Sequence, residues 1–230
     1  MVRACKACVI VGVLAGLFAA AGTAHAAVDT KPVQKPFGIR IGYMLTSVNS
    51  TVFPGNNSRS FSLKPFNVGL SYDISKPKAT NPAIFGVYAD WFAERSNDQT
   101  FGGGDEVLKA TSKVSAFGIG GNARFLFGSA NAAWAPYAGV GVGGYSVRAR
   151  IHTFDYDPTI PLDQQTPIEL SKSKTEVGVG GKLLMGIQEK SGFLGEVEYE
   201  FLPSANVASS TAKYLNGKLS GLNLRVGYRF

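Results

Sequence analysis

The stretch Gly221-Leu222-Asn223-Leu224-Arg225-Val226-Gly227-Tyr228-Arg229-Phe230 decides the fold. Leu222, Leu224, Val226, Tyr228 and Phe230 share one parity, and Gly221, Asn223, Arg225, Gly227 and Arg229 share the other. Successive side chains of an extended strand point to opposite faces, so this strand has one greasy face and one polar or small face. A soluble sheet could carry such a strand. The rest of the chain separates that reading from a strand with lipid on its greasy side.

Residues 1–26 have the form of a secretory signal peptide. Arg3 and Lys6 supply a positive start, Val9–Ala21 form an apolar run, and Ala24-His25-Ala26 is a small-x-small cleavage site. The run is too short to cross a bilayer as a helix. Both cysteines, Cys5 and Cys8, precede the apolar run, so the mature chain is expected to lack disulfides, thiol catalysis and thiolate metal sites. A lipoprotein anchor, which needs a Cys after the run, is not expected either. Losing Arg3 and Lys6 lowers the formal charge from +7 to +5. That modest surplus fits scattered surface lysines better than a nucleic-acid surface, and no nucleic-acid partner is expected.

After residue 26 the chain breaks into segments of the length a tilted membrane strand needs, roughly 9–11 residues. They are 37–47, 64–73, 83–95, 113–127, 134–151, 175–189, 193–201 and 217–230. Most alternate like the last, for example Phe37, Ile39, Ile41, Tyr43 and Leu45 against Gly38, Arg40, Gly42 and Met44. Tyr88 and Phe92 blur the third segment, and the Gly-dense fifth is expected to change phase near Gly143-Gly144. The connectors after the second, fourth and sixth segments are short. The others are mostly longer and rich in Asn, Asp, Ser, Gly and Pro, as expected of exterior loops. The expected organisation is a signal peptide over 1–26, an N-terminal periplasmic segment over 27–36 and a barrel over 37–230. The fold class is all-β: an eight-stranded antiparallel up-and-down transmembrane β-barrel, with both termini periplasmic and the greasy faces turned to lipid. A soluble carrier barrel would need the opposite polarity.

The inward parity then carries the charges. Asp90, Glu94, Glu196, Glu198 and Glu200 are expected to face the lumen with Arg40, Arg124, Lys182, Arg225 and Arg229. A tight turn centred near Ser191 sets Lys182 opposite Glu200, with Glu198 on the diagonal. Charges in a narrow interior must find partners, which makes the set a structural plug; a ring of charge could also gate a pore.

Other matches are weaker. Gly139-Val140-Gly141-Val142-Gly143-Gly144 satisfies G-x-G-x-x-G, but the sequence continues as a strand rather than opening a helix. His152 is read as a solvated histidine at the start of the longest loop, without a nucleophile and base around it. Asp155, Asp157 and Asp163 lack the Gly and terminal Glu of a calcium loop. Neither catalysis nor a cofactor or metal is expected.

Pro136-Tyr137-Ala138-Gly139-Val140-Gly141-Val142-Gly143 and the terminal Gly227-Tyr228-Arg229-Phe230 give the chain a resemblance to a family. It is similar to the small eight-stranded outer-membrane barrels of Gram-negative bacteria, such as the OmpA-type barrel, OmpX and OmpW. The resemblance implies export by the Sec pathway to the outer membrane, with outer-membrane lipid and lipopolysaccharide around the barrel. It implies insertion by the barrel-assembly machinery, with Tyr228 and Phe230 as the assembly signal, and exterior loops open to an extracellular ligand. A structural, surface-interaction or limited-permeability role is expected. An OmpW-like channel for small hydrophobic molecules is the alternative, and a lipid-modifying enzyme comes third. The mature protein is expected to begin at Ala27, which intact-mass measurement on outer-membrane material checks directly; retention of residues 1–26 would refute the cleavage site.

Overall fold

A computed structural model describes residues 35–52, 57–75, 83–101, 108–127, 133–155, 164, 168–208 and 213–230. The signal-peptide reading lies outside these residues. The strands are β1 (Phe37–Val52), β2 (Asn57–Leu63), β3 (Phe66–Asp73), β4 (Ala83–Phe101), β5 (Leu108–Leu126), β6 (Trp134–Asp155), β7 (Ile168–Glu189), β8 (Phe193–Phe201), β9 (Ser204–Ala208), β10 (Lys213–Lys218) and β11 (Gly221–Arg229).

Eight of them close a barrel. The antiparallel order β1-β3-β4-β5-β6-β7-β8-β11 returns to β1, where Gly38 pairs with Arg229 and Thr46 with Gly221. The stretch 221–230 therefore carries the closing strand, β11. The β7–β8 hairpin turns through Gly192, whose N–H donates to the Glu189 carbonyl at 3.0 Å. Its φ is +113°, and a Cβ there would stand 2.3 Å from the Arg229 carbonyl oxygen, so only glycine fits without rearrangement.

The greasy parity faces outward as expected: Leu224 and Val226 are 47% and 63% exposed on the outer wall. Aromatic side chains gather at both ends of this apolar band. Phe37, Tyr72, Phe85, Phe125, Trp134, Phe193 and Phe230 mark the end where β1 begins and β11 ends; Tyr43, Trp91, Phe117 and Phe201 mark the other. Two aromatic girdles flanking an apolar band of roughly 25 Å are the signature of a barrel wall in lipid.

Several expected boundaries are corrected. β4 and β5 are 19 residues each and β6 and β7 are 22 each, about twice the spanning length, so they project beyond the band at the end away from the start of β1. Much of what reads as loop there is hairpin, for instance Phe101 paired with Leu108 and Asp155 with Ile168. His152 is not in a loop but inside β6, opposite Thr111 and Ser171. The second expected segment, 64–73, is β3 alone, and β2 lies before it in what reads as loop. The eighth, 217–230, takes in the last two residues of β10 and then all of β11, with a break at Leu219-Ser220.

β6 does not change phase at Gly143-Gly144. Its pairing with β5 and β7 runs without a shift from Tyr137 to Phe154. The inward positions simply change character, from Gly139, Gly141 and Gly143 to buried Tyr145, Val147, Ala149 and Ile151. Inward glycines at Gly118 and Gly180 flank the Tyr145 ring: a Cβ at either would lie 2.2 or 2.7 Å from it. The glycine density of the sequence thus makes room for a tyrosine lying across neighbouring strands.

Beyond Leu202-Pro203 and Leu219-Ser220 the last two wall strands bend, and β9–β10 continue as a hairpin on the far half of β1. The breaks are joined by side chains: the Leu202 N–H donates to Ser220 Oγ at 3.1 Å, and Thr46 Oγ1 donates to the Ser220 carbonyl at 2.9 Å. Leu202, Ala205, Val207 and Leu219 thereby join Met44, Phe92, Val114, Val147 and Ile151 in one apolar cluster. Near the centre of the band, Leu224→Arg is expected to destabilise the barrel by roughly 2–4 kcal/mol, whereas Val177→Arg at its far edge should cost about 0–1 kcal/mol. Denaturant unfolding in lipid vesicles measures both; equal penalties would mean that the bilayer sits elsewhere on the wall.

Candidate functional site: the charged lumen

Each inward charge sits on a strand whose outward neighbours are greasy, so the alternation that covers the wall with apolar groups also lines the lumen with ions. Around Asp90 of β4 the structure collects three cations from three other strands. Arg225 Nη1 and Lys182 Nζ donate to its carboxylate at 2.5 and 2.8 Å, and Arg40 Nη2 lies 3.7 Å away. Glu198 of β8 faces the same cations: Arg40 at 3.0 Å, Arg225 at 3.1 Å and Lys182 at 3.3 Å. Glu200 accepts from Arg225 Nη2 at 2.8 Å, and Glu196 accepts from Arg40 Nη1 at 2.6 Å. None of these seven residues is more than 4% exposed.

The expected register of the hairpin is as observed. Lys182 pairs with Glu200 across β7 and β8, and Glu198 is the diagonal neighbour. The diagonal wins the close contact, because Arg225 engages Glu200 from the other side and leaves Lys182 to Asp90 and Glu198. Asn223 adds neutral donors and acceptors: Asn67 Nδ2 donates to its Oδ1 at 2.7 Å, and its own Nδ2 donates to Glu200 at 3.2 Å.

A second cluster lies nearer the start of β1 and the end of β11. Arg124 and Arg229 both form ion pairs with Asp73, a residue that sequence reasoning missed. Asp73 is the last residue of β3 and of its expected segment, and its inward parity was legible from Phe66, Val68, Leu70 and Tyr72. Tyr137 links the two clusters, donating to Glu196 at 2.9 Å while the Arg124 guanidinium stands 5.6 Å from its ring centre.

Glu94 is a correction. The β4–β5 register shifts between Phe92 and Arg95, and this irregularity reverses the parity beyond it. Glu94 is exposed and pairs with Lys113 at 3.5 Å, outside the lumen. Of the ten expected lumen charges the structure brings nine inside, and Asp73 takes the tenth place.

Above the charges lies a tyrosine layer, then the apolar cluster. Tyr88 and Tyr145 share a hydroxyl–hydroxyl hydrogen bond of 2.9 Å, and Lys182 Nζ stands 3.7 Å from the Tyr88 ring centre. Ammonium over an aromatic face is favourable, more so when both are desolvated. Chemically the arrangement pairs opposite charges across the lumen. Asn122 and Arg124 are also buried in it, and among the described residues no group of His, Cys, Asp and Glu is spaced to hold a metal ion.

Losing one partner of a buried ion pair costs about 3–5 kcal/mol, because the remaining charge is stranded, whereas an exposed pair is worth about 0–1 kcal/mol. Glu198→Ala is therefore expected to lower unfolding stability by about 3–5 kcal/mol and Glu94→Ala by less than about 1 kcal/mol. Denaturant titration of the two variants checks the register; comparable losses would return Glu94 to the lumen.

Comparison with known proteins agrees with this architecture. No curated protein matches the chain. Among solved structures, it is similar to Ail, the attachment invasion locus protein of Yersinia pestis, at 16% identity, 86% coverage of this chain, 100% of the other and a TM-score of 0.43. It is also similar to OprG from Pseudomonas aeruginosa at 13% identity, with 85% and 96% coverage and a TM-score of 0.40. The outer membrane enzyme PagL matches at 11% identity, with 84% and 99% coverage and a TM-score of 0.40. The outer membrane protein beta-barrel domain matches residues 13–230, nearly the whole chain, and the protein belongs to that family.

Proposed function

We propose that this outer-membrane barrel is closed, and that it serves a structural or surface-interaction role with limited permeability at most. The observation that carries the reading is the Asp90–Glu198 cluster, in which charges from β1, β4, β7, β8 and β11 meet across the full width of the lumen. An eight-stranded interior is just wide enough for side chains to fill, and the tyrosine and apolar layers stack a second obstruction on the first.

In this reading both termini are periplasmic, the protein having been exported by the Sec pathway. The projecting hairpins of β4–β7 and the β9–β10 hairpin stand on the exterior, where they would meet an extracellular ligand. Tyr228 and Phe230 would serve the barrel-assembly machinery; both are aromatic, and Phe230 is 57% exposed at the end of the closing strand. Catalysis is not part of the proposal.

One observation favours a second reading, a conduit for small hydrophobic molecules. The far half of the lumen buries Phe92, Val114, Val147 and Ile151, an apolar lining that suits an apolar solute. Conductance in planar bilayers separates the readings. The closed barrel should conduct poorly, and Glu198→Ala should raise its conductance by loosening the cluster. Large, steady wild-type channels unchanged by Glu198→Ala would refute the plug, whereas uptake of hydrophobic solutes indifferent to that substitution would establish the conduit.

A further inference from the structure

On the outer face of β6 the side chains above the apolar band are Arg148 and Arg150, on the parity opposite buried Val147, Ala149 and Ile151. The pairing places them in two rows. Ser115, Arg148 and Thr175 form one across β5, β6 and β7; Lys113, Arg150 and Ser173 form the next. Paired residues share a face at about 5 Å, and successive rows lie about 7 Å apart. Lys113 is neutralised by Glu94 at 3.5 Å. Arg148 and Arg150 have no ion pair among the described residues.

The row immediately below is Phe117, Ser146 and Val177, so the arginines begin one row outside the hydrocarbon band. Here the far aromatic girdle is interrupted: β4, β5 and β8 carry Trp91, Phe117 and Phe201, while β6 and β7 present hydroxyls and guanidinium groups. Two arginines framed by three hydroxyls at headgroup depth match the chemistry of a phosphate. A guanidinium offers it paired donors in a fixed fork, and the hydroxyls supply further hydrogen bonds. A soluble anion would gain nothing from the depth of the site, whereas a membrane lipid is held there by its own chains.

The geometry points to a binding site for the phosphorylated headgroup of a membrane lipid, in the leaflet away from the termini, formed by Arg148 and Arg150 with Ser115, Ser173 and Thr175. It requires only that the wall lies in lipid, not that the lumen is closed; a conducting barrel would keep the site.

The test uses the full mature protein in zwitterionic micelles, with native mass spectrometry of bound bisphosphorylated lipid A and of the same lipid dephosphorylated. Wild type should retain the phosphorylated form at least about tenfold better, since each charge-assisted bond is worth about a factor of ten or more. Arg148→Gln combined with Arg150→Gln should remove that preference. Should the double variant fold poorly, Ser173→Asp, which sets a carboxylate beside Arg150, should weaken retention to a similar degree. Equal retention of the two lipids by wild type, or a preference surviving both sets of substitutions, would overturn the site. Displacement of the lipid by millimolar inorganic phosphate would overturn it as well, by assigning the pocket to a free anion.

Discussion

The structure depends on closure. In hydrocarbon an unpaired backbone N–H or C=O costs several kcal/mol, so a sheet can cross only if its two edges find each other. Here they do so along β1 and β11, from Gly38 against Arg229 to Thr46 against Gly221. Eight tilted strands enclose a space no wider than the side chains that point into it. Every inward charge is then cut off from bulk water and must be satisfied within arm's length. The Asp90–Glu198 cluster is the consequence: Asp90, Glu198, Arg40, Lys182 and Arg225 each have ionic partners on at least two other strands.

Along the barrel axis the polarity inverts, and the surroundings of the wall explain why. Within the band, lipid outside selects Ile119, Val140 and Leu183 for the outer face and leaves polar groups for the inner one. Beyond the band, β6 carries Arg148, Arg150 and His152 outside and Val147, Ala149 and Ile151 inside, the pattern of a soluble barrel. The backbone register is the same in both halves; only the medium it faces has changed. The bend at Leu202-Pro203 belongs to the same logic, since it tips β9 toward the axis and gives the far half an apolar core to bury.

This inversion marks where sequence reasoning succeeds and fails. In the band, period-2 alternation is unambiguous, so the strand number, the outward faces and the Lys182–Glu200 register were legible. In β6 the same alternation with its sense reversed reads as a phase change, because the residue types swap faces while the backbone does not. The β9–β10 hairpin was hidden for the same reason: Ala205 and Val207 alternate, but among Ser and Asn they resemble a polar loop. Glu94 fails differently. One irregularity between Phe92 and Arg95 flips its parity, and nothing in Phe92-Ala93-Glu94-Arg95 announces a bulge. Asp73 was missed although its parity is inward: it sits at the last position of its strand, and only the register of distant β5 and β11 shows that it reaches inward between two arginines.

Exchanging Glu94 for Asp73 also explains how the lumen stays neutral. The cluster around Asp90 holds Arg40, Lys182 and Arg225 against Asp90, Glu196, Glu198 and Glu200, one acid in excess. The cluster around Asp73 holds Arg124 and Arg229 against a single acid, one base in excess. Neither cluster is balanced alone, and in a medium of low effective dielectric an unbalanced unit charge is expensive. They offset each other across Tyr137, which hydrogen-bonds the acid-rich side through Glu196 and stacks its ring toward Arg124 on the base-rich side. The lumen is therefore one electrostatic unit spanning β1, β3, β4, β5, β7, β8 and β11. Strands distant in sequence are held in one register not by pairing with their neighbours alone but by charges that meet across the barrel.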